Sequence, residues 1–166
     1  PAEDGSISRQ CASGYGLLQG RYHAKGAGDT VLVTRRNART PNRVSQQIKK
    51  LVPGRAYSLK MFVMDYGEFS MGKSVKRKHH MNVHIKDVTV VPEKGFREII
   101  SGGWSEGSAT NMFDGENQLY MTYQRIVFCP TSDTATLTIS DWENDKTSSG
   151  SVGQELAFNF IQVQPY

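Results

Sequence analysis

The chain has 166 residues, a length that fits one domain with a single hydrophobic core. Its 20 Lys and Arg against 16 Asp and Glu give a net charge of +4, which is too mild and too dispersed to indicate nucleic-acid binding. No stretch approaches the ~18 apolar residues that cross a bilayer, and the opening PAEDGSISRQ lacks the features of a secretion signal. We therefore expect one soluble domain over residues 1–166, without a nucleic-acid or membrane partner.

Strand patterns dominate the chain, and no window of a dozen residues shows the i, i+3, i+4, i+7 spacing of a helix. The first pattern is TVLVTRR, residues 30–36, which is partly apolar on both faces and therefore predicts a strand inside a sheet. A second, RVSQQIKKL, leads into the turn VPG, where Pro53 presets φ and Gly54 accepts a positive φ. That turn delivers the chain into YSLKMFVM, residues 57–64, with one face formed by Tyr57, Leu59, Met61 and Val63.

The next segment, residues 65–80 (DYGEFSMGKSVKRKHH), is basic and punctuated by glycine, which predicts an exposed loop. Its aromatic residues Tyr66 and Phe69 are expected to be solvated or packed on each other. Alternation resumes in residues 80–91, HMNVHIKDVTVV, with an apolar face that includes Val83 and Ile85. The opposite, polar face is formed by His80, Asn82, His84 and Lys86.

Four more strand patterns follow, FREII, LYMTYQRIVF, ATLTISDW and ELAFNFIQV, separated by segments rich in Gly, Ser, Asn and Asp. Eight or nine short strands without crossover helices predict an all-β fold with two antiparallel sheets stacked face to face, a β-sandwich of jelly-roll type. The residues expected mostly in the core are Tyr57, Leu59, Met61, Val127, Leu137, Ile139, Phe158 and Phe160.

Three stretches stand in an informative order: VLVTRRNARTPNRVSQQIKKLVPGRAYSLKMFV, then YQRIVFCPTSDTATLTISD, then FNFIQVQPY. This succession resembles the xylan- and glucan-binding carbohydrate-binding modules of families 4, 9 and 22, which have a galactose-binding-like sandwich. Those modules carry a strand ending near tgR, a pGktYtvs turn, a W-x-x-l strand, an l-x-i-x-v-e strand and a closing f-y-i-D-d-v. The resemblance runs from Gly28 to Val163.

The resemblance implies a non-catalytic module that binds a plant or algal polysaccharide, such as xylan or β-glucan. It also implies a secreted parent protein, in which the module targets an attached glycoside hydrolase to that polysaccharide. We expect the module itself to be a monomer. Two alternatives remain, in this order: an accessory β-sandwich domain of a secreted multidomain enzyme without its own ligand, and a jelly-roll enzyme that degrades polysaccharide.

The chain departs from the family pattern at three places. The tryptophan that often follows tgR is missing from RRNARTPNR, and the aromatic residue that opens the W-x-x-l strand becomes Tyr123. In the closing strand the acidic pair, often part of a structural calcium site, is replaced by Ile161 and Gln162. We therefore predict no cofactor, and a structural calcium held elsewhere stays open.

The two cysteines, Cys11 and Cys129, show no CxxC motif and no spacing typical of structural zinc. The resemblance implies that the first strand lies beside the last, and if Cys11 lies near Cys129 their Cα atoms should be within ~7 Å of each other. A disulfide would suit an exported protein, and two free buried thiols would suit either compartment. The sequence leaves both alternatives open.

Sugar sites combine an aromatic platform with hydrogen-bonding side chains. If Leu137 and Ile139 face the core, alternation turns Trp142 to the opposite face, where it is either a stacking platform or a cap on the core edge. Trp104, in SGGWSEG, is either a loop platform or a cover on the end of the sandwich. The predicted carbohydrate contacts are Trp142, Glu143, Asn82, His84, Trp104, Arg35 and Tyr123.

Basic residues offer further contacts. The side chains of Arg21, Tyr22 and Arg36 are candidates beside Arg35, although a surface role is favoured for each. The basic run GKSVKRKHH either forms a solvated loop or attracts an acidic polysaccharide.

Catalysis is not predicted. His80 and His84 resemble half of a metal site, but no third ligand is identifiable, so we expect no catalytic metal. The motifs GxSxG and HExxH are absent from the sequence. The carboxylate pairs Asp65 with Glu68 and Asp141 with Glu143 fall in loops without a supporting motif.

Overall fold

A computed structural model of the protein describes residues 7–11, 30–71, 74–101 and 120–166. Two antiparallel sheets lie face to face, so the predicted all-β, antiparallel β-sandwich is confirmed. None of the helices in these ranges is long and apolar enough to span a membrane. The strands are β1 (Ile7–Cys11), β2 (Thr30–Arg35), β3 (Arg43–Lys49), β4 (Tyr57–Asp65), β5 (Asn82–Lys86), β6 (Val88–Val90), β7 (Phe96–Ser101), β8 (Tyr120–Pro130), β9 (Thr134–Ser140) and β10 (Glu155–Pro165); helix α1 is Tyr66–Ser70, and a 3₁₀ turn covers Pro92–Lys94.

The two sheets differ in size. The large sheet has the strand order β1-β2-β10-β4-β8-β6, and β7 also pairs with β8. The small sheet has the order β3-β9-β5. The chain passes repeatedly from one sheet to the other, since β3, β5 and β9 each lie between neighbours in sequence that belong to the large sheet. Such crossings are typical of jelly-roll sandwiches.

The core between the sheets is formed by the inner face of each sheet. Seven of the eight predicted core residues are buried, and Phe160 is the exception. Phe160 has a φ of 53° within a bulge between Asn159 and Gln162, so its ring joins a cluster on the outer face of the large sheet. The inner cluster contains Leu59, Met61, Val63, Phe128, Leu156 and Phe158 from the large sheet and Met81, Ile85, Leu137 and Ile139 from the small sheet and its approach.

Helix α1 corrects the expectation that residues 65–80 form only an exposed loop. The Asp65 side chain caps the helix by accepting a hydrogen bond from the Glu68 backbone N–H at 3.0 Å. The ring of Phe69 is buried against the outer face of the large sheet, and Tyr66 stacks on it at 6.4 Å. Burial of this aromatic ring fixes the start of the segment, a tertiary effect that local composition does not reveal.

The segment predicted as one strand over residues 80–91 is divided in two. Strand β5 belongs to the small sheet and β6 to the large sheet. Between them lies Asp87 with a φ of 65°, a left-handed conformation that breaks the alternation. Because of this break, one stretch of chain joins an edge of each sheet.

The sheet order separates the two cysteines. Cys11 lies in β1 and Cys129 in β8, with β2, β10 and β4 between these strands. Four strand spacings of about 4.8 Å place the strands about 19 Å apart, far beyond the ~7 Å that a disulfide allows between Cα atoms. The thiol of Cys129 is free. The expectation that the first and last strands are neighbours was wrong, because β2 rather than β1 pairs with β10.

Two valines on different parts of the large sheet test the inner core. Val63→Ala removes two methyl groups from a side chain with no exposed area and should lower the free energy of unfolding by about 2 kcal/mol. Val90→Ala, at a side chain that is 46% exposed, should stay within about 0.5 kcal/mol of the parent. Urea unfolding measures both. Equal losses in the two variants would contradict this assignment of the core.

Candidate functional site

A buried arginine organises one end of the sandwich. Arg36 directly follows β2 and is only 1% exposed. Its Nε donates to the Asp141 carbonyl at 2.8 Å, and its Nη2 donates to the His80 carbonyl at 2.9 Å and to Ser149 Oγ at 3.2 Å. Its Nη1 donates to the side-chain oxygen of Gln154. The expected surface role of Arg36 was therefore wrong, because its buried guanidinium bonds residues of the loop after β9, the chain before β5 and the segment before β10.

The chain around Arg36 leaves no free volume on one side of the guanidinium. A Cβ atom added to Gly150 would lie only 2.8 Å from Arg36 Cζ. The backbone of Arg36 is fixed as well, since its N–H donates to the Gln154 carbonyl at 2.9 Å and its carbonyl accepts from the Gly153 N–H at 2.8 Å. Glycine at position 150 thus allows the loop to lie flat against the charged group.

The carboxylate of Asp141 is a structural partner of this end of the sandwich. It is completely buried and accepts hydrogen bonds from Thr34 Oγ1 at 2.9 Å, the Asn42 N–H at 2.8 Å and Asn42 Nδ2 at 2.6 Å. Burial lowers the pKa of Arg36 below its usual range, and the negative charges of Asp141 and Asp65 oppose that shift. The opposite charges therefore help to keep a buried cation ionised.

Two further carboxylates hold the basic segment after α1. Asp65 accepts a hydrogen bond from Gln154 Nε2 at 2.9 Å and lies 3.5 Å from Arg77 Nη2. Glu68 pairs with the same Arg77 nitrogen at 2.5 Å and accepts from the Val75 N–H at 2.9 Å. The carboxylates that the sequence offered as candidate acid–base pairs are thus engaged in structural contacts at Asp65, Glu68 and Asp141.

Two clefts at this end of the sandwich share Gln154 in their lining. The first, of about 190 Å³, is lined by Arg36, Arg77, Lys78, His79, His80, Ser149, Gly150, Ser151 and Gln154. We call it the cationic cleft. The second, of about 380 Å³, is lined by Arg35, Asp65, Gly67, Gly153, Gln154 and Glu155, and it contains the predicted contact Arg35.

Both histidines of the cationic cleft have an imidazole nitrogen without a partner. The backbone N–H of His79 donates to Thr122 Oγ1 at 2.7 Å, whereas its Nε2 is buried and lacks a partner among the described residues. Burial lowers the pKa of His79, against the carboxylates of Asp65 and Glu68. Burial also lowers the pKa of His80, and the neighbouring Arg97 adds to the shift. Both rings are therefore disposed to be neutral near pH 7.

The contact between His80 and Arg97 fixes the tautomer of the imidazole. Arg97 Nη1 donates to His80 Nδ1, because a guanidinium has no acceptor atom. The neutral ring then carries its proton on Nε2, so His80 Nε2 and Arg97 Nε are both buried donors without a described partner. No carboxylate of the described ranges lies within ion-pair distance of Arg97.

The outer face of the small sheet is polar and open to solvent. The strand register aligns Asn82 with Ser140 and His84 with Thr138, and Ser45 hydrogen-bonds to Thr138 at 2.8 Å. His84 is exposed, and Asn82 is partly exposed. Asn82 Nδ2 donates to the Glu143 carbonyl at 2.8 Å, which holds the loop after β9 against this face. Three predicted contacts, Asn82, His84 and Glu143, thus belong to one surface.

The indole ring of Trp142 is not accessible on that surface. It is 6% exposed, and its indole Nε1 is buried without a partner among the described residues. Its backbone N–H donates to Ser140 Oγ at 3.2 Å, and it forms an isolated bridge with Ser148. Stacking of a sugar requires an accessible ring face. The position of Trp142 therefore corresponds to the alternative of a cap on the core edge.

The remaining predicted contacts lie elsewhere. Tyr123 is on the outer face of the large sheet, stacked on Phe62 at 4.7 Å and edge-on to Phe96 at 5.0 Å. It lies on the opposite side of the sandwich from Asn82 and His84. The predicted contacts Trp104, Arg21 and Tyr22 lie outside the described residues. One expected site is thus divided over at least three surfaces.

The half metal site suggested by His80 and His84 is not assembled. His80 contacts Arg97, whereas His84 remains on the outer face of the small sheet. Within residues 7–11, 30–71, 74–101 and 120–166, no three His, Cys, Asp or Glu side chains form a group that could hold a metal ion. A structural calcium involving other residues stays an open prediction.

Sequence reasoning missed the importance of Arg36 and Arg97, although alternation contained a signal for both. Leu32 and Thr34 point to the inner face, and Arg36 continues that series by two residues. In the strand FREII, alternation likewise places Arg97 on the face of its strand that is directed toward the core. A charged residue in register with a core face is a direct indication of a buried polar network.

Comparison with known proteins adds no relative. No family model, no curated protein and no solved structure matches this chain. The functional assignment therefore depends on the geometry of the site and on the resemblance in segment order.

The buried guanidinium can be tested by substitution. Arg36→Met should lower the free energy of unfolding by about 3–5 kcal/mol, because four acceptors lose a donor and the Asp141 charge loses its neighbour. Arg39→Met, at an exposed site, is the matched control and should change stability by less than about 0.5 kcal/mol. Arg36→Lys should recover little, because one ammonium cannot reach all four partners. Equal stability of Arg36→Met and Arg39→Met would disprove the network's structural role.

The two buried histidines predict a pH dependence of stability. Folding lowers the pKa values of both histidines. When the pH falls below the ordinary histidine pKa of about 6.5, the unfolded chain therefore binds protons that the folded chain does not bind. The free energy of unfolding should therefore fall as pH decreases from 7.5 to 5.5. His79→Gln should flatten this slope, and His84→Gln, which removes an exposed ring, is the control. Urea midpoints measured at each pH decide the point, and a slope unaffected by His79→Gln would refute it.

Proposed function

We propose that this protein is a non-catalytic carbohydrate-binding module that holds a polysaccharide on the outer face of the small sheet. The observation that carries the proposal is the polar, solvent-open surface formed by β3, β9 and β5. A sugar ring presents several hydroxyl groups, each of which both donates and accepts hydrogen bonds. A surface rich in hydroxyl, amide and imidazole groups matches that chemistry.

The geometry of this face supports an extended ligand. Three neighbouring strands spaced by about 4.8 Å form a surface about 10 Å wide, onto which a polymer can lie without entering a closed cavity. Side chains that project from it include Ser45, Gln47, Thr138, Asn82 and His84. Asn82 is already oriented by the Glu143 carbonyl, so less conformational entropy is lost when a ligand binds beside it.

The structural use of the carboxylates favours binding without hydrolysis. Glycoside hydrolysis requires two carboxyl groups on either side of the scissile bond. Here Asp141 is buried with three donors, and Asp65 caps α1 while it accepts from Gln154. Glu143 is exposed beside the proposed binding face, where it can accept a hydrogen bond from a sugar hydroxyl.

The proposed biological setting follows the resemblance in segment order. The module would be part of a secreted protein and would carry an attached catalytic domain to a plant or algal polysaccharide. The partner of the module is then an extended glycan such as xylan or β-glucan.

Affinity gels containing xylan, mixed-linkage glucan or mannan test the proposal. The parent protein should be retarded by at least one of them, and Asn82→Ala and His84→Ala should each weaken binding about three- to tenfold through loss of a hydrogen bond. Trp142 is not substituted, because removal of a buried indole perturbs the fold.

Thr89→Ala and Glu93→Ala are the controls, since both residues are exposed on the opposite sheet or its adjoining turn. Each variant is first checked for an unchanged melting curve. Equal loss of binding in the controls and in the Asn82 and His84 variants would place the ligand elsewhere. If the parent protein is retarded by no glycan, the accessory domain without a ligand replaces the proposal.

A further inference from the structure

The cationic cleft contains many hydrogen-bond donors and few available acceptors. Its charged lining residues are Arg36, Arg77 and Lys78, and no carboxylate occurs among the described residues that line it. The side-chain oxygen of Gln154, an acceptor in the lining, is already bound by Arg36. A ligand that presents acceptors, above all an anion, therefore fits this cleft better than a neutral group that must also donate.

Unpaired groups within and behind the cleft indicate the same ligand chemistry. His79 is 3% exposed and lines the cleft, and its Nε2 has no partner among the described residues. His80 also lines the cleft and contacts Arg97, a guanidinium without a carboxylate partner in the described ranges. Buried polar groups are nearly always paired in folded proteins, and Arg97 is a partly buried cation whose Nε is buried without a partner among the described residues. A bound anion would supply the missing negative charge.

The cleft adjoins the proposed binding face. His80 and His79 stand two and three positions before β5, which then presents Asn82 and His84 on the outer face of the small sheet. The carboxylate of Glu143, whose carbonyl accepts from Asn82, acts electrostatically on His80. A polymer that follows β5 across the face therefore reaches the cleft.

The size of the cleft limits what enters it. At about 190 Å³ it is smaller than the roughly 300–1,000 Å³ of sites that enclose a whole small molecule. It therefore suits one charged group of a larger ligand, while the rest of that ligand lies outside.

We infer that the polysaccharide is acidic, and that the cationic cleft binds a carboxylate or sulfate group of one sugar unit while neighbouring units lie along β5. This inference rests on the proposed function and specifies the class of its ligand. Arg77 and Lys78 contact the anion from the rim, and Arg36 and the two histidines line the floor. The ion pairs of Arg77 with Glu68 and Asp65 hold its guanidinium in place.

Matched glycans test the inference. Affinity gels at 0.15 M salt, where the Debye length is only about 8 Å, compare polygalacturonate and dextran sulfate with neutral xylan, mixed-linkage glucan and dextran. We expect tighter binding of at least one acidic polymer than of any neutral one. Titration of the protein with glucuronate and with glucose, followed by NMR, isolates the contribution of a single carboxylate. Glucuronate should perturb the signals of His79 and His80, and glucose should not.

Charge-neutralising variants locate the anion. Arg77→Gln and Lys78→Gln should each weaken binding of the acidic polymer about tenfold through loss of a charge-assisted contact. Arg55→Gln and Lys94→Gln remove the same charges from exposed positions away from the cleft and are the matched controls. The length of β4, about 27 Å from Tyr57 to Asp65, separates Arg55 from the cleft. Melting curves establish that each variant is folded, and Lys78, which is exposed, provides the variant least coupled to the fold.

Each binding result either supports or overturns the inference. The inference is supported if the cleft variants lose the preference for acidic polymers and the controls keep it. Comparison of the two acidic polymers then distinguishes a carboxylate from a sulfate ligand. Equal weakening in all four variants indicates general charge attraction and overturns the inference. Binding of neutral glycans without a preference for acidic ones also overturns it but leaves the proposed function in place. Retardation by no polymer of either kind ends the proposed function and the inference together.

Discussion

The burial of one guanidinium is the constraint on which this end of the sandwich depends. Arg36 is removed from water, so each of its donors must find an acceptor within the protein. It finds them on the loop after β9, the chain before β5 and the segment before β10. The positions of Asp141 and Gln154, and the absence of a side chain at Gly150, follow from that requirement.

The Arg36 end of the sandwich thus differs from the rest of the interface in the interactions that hold it together. Apolar side chains from both sheets interlock over most of the interface and supply the hydrophobic stabilisation. At the Arg36 end, polar contacts replace them, and several donors are left without a partner in the described structure. Such groups reduce stability unless a ligand satisfies them. The physical chemistry that makes this end costly to fold is the same chemistry that makes it suited to bind an anion.

The sequence by itself determined the fold class and much of the core. Alternation with period two places side chains on opposite faces, and it correctly assigned Tyr57, Leu59 and Met61 to the interior. It also correctly separated Ile85 from Asn82 and His84 on β5. These predictions succeeded because the faces of a strand are fixed by local backbone geometry, which does not depend on the neighbouring elements.

Only the tertiary structure decided what covers each face. Alternation turned Trp142 away from its own strand's apolar face, but the loop that follows folds back and buries it. Likewise, alternation turns Arg36 toward the inner face and Arg35 away from it, but it does not reveal that Arg36 is buried among charge partners while Arg35 is partly exposed. The partners of Arg36 are more than 40 residues away in sequence, at His80, Asp141 and Gln154. A local pattern specifies the direction of a side chain, whereas its burial and charge partners depend on distant segments that only the folded chain brings together.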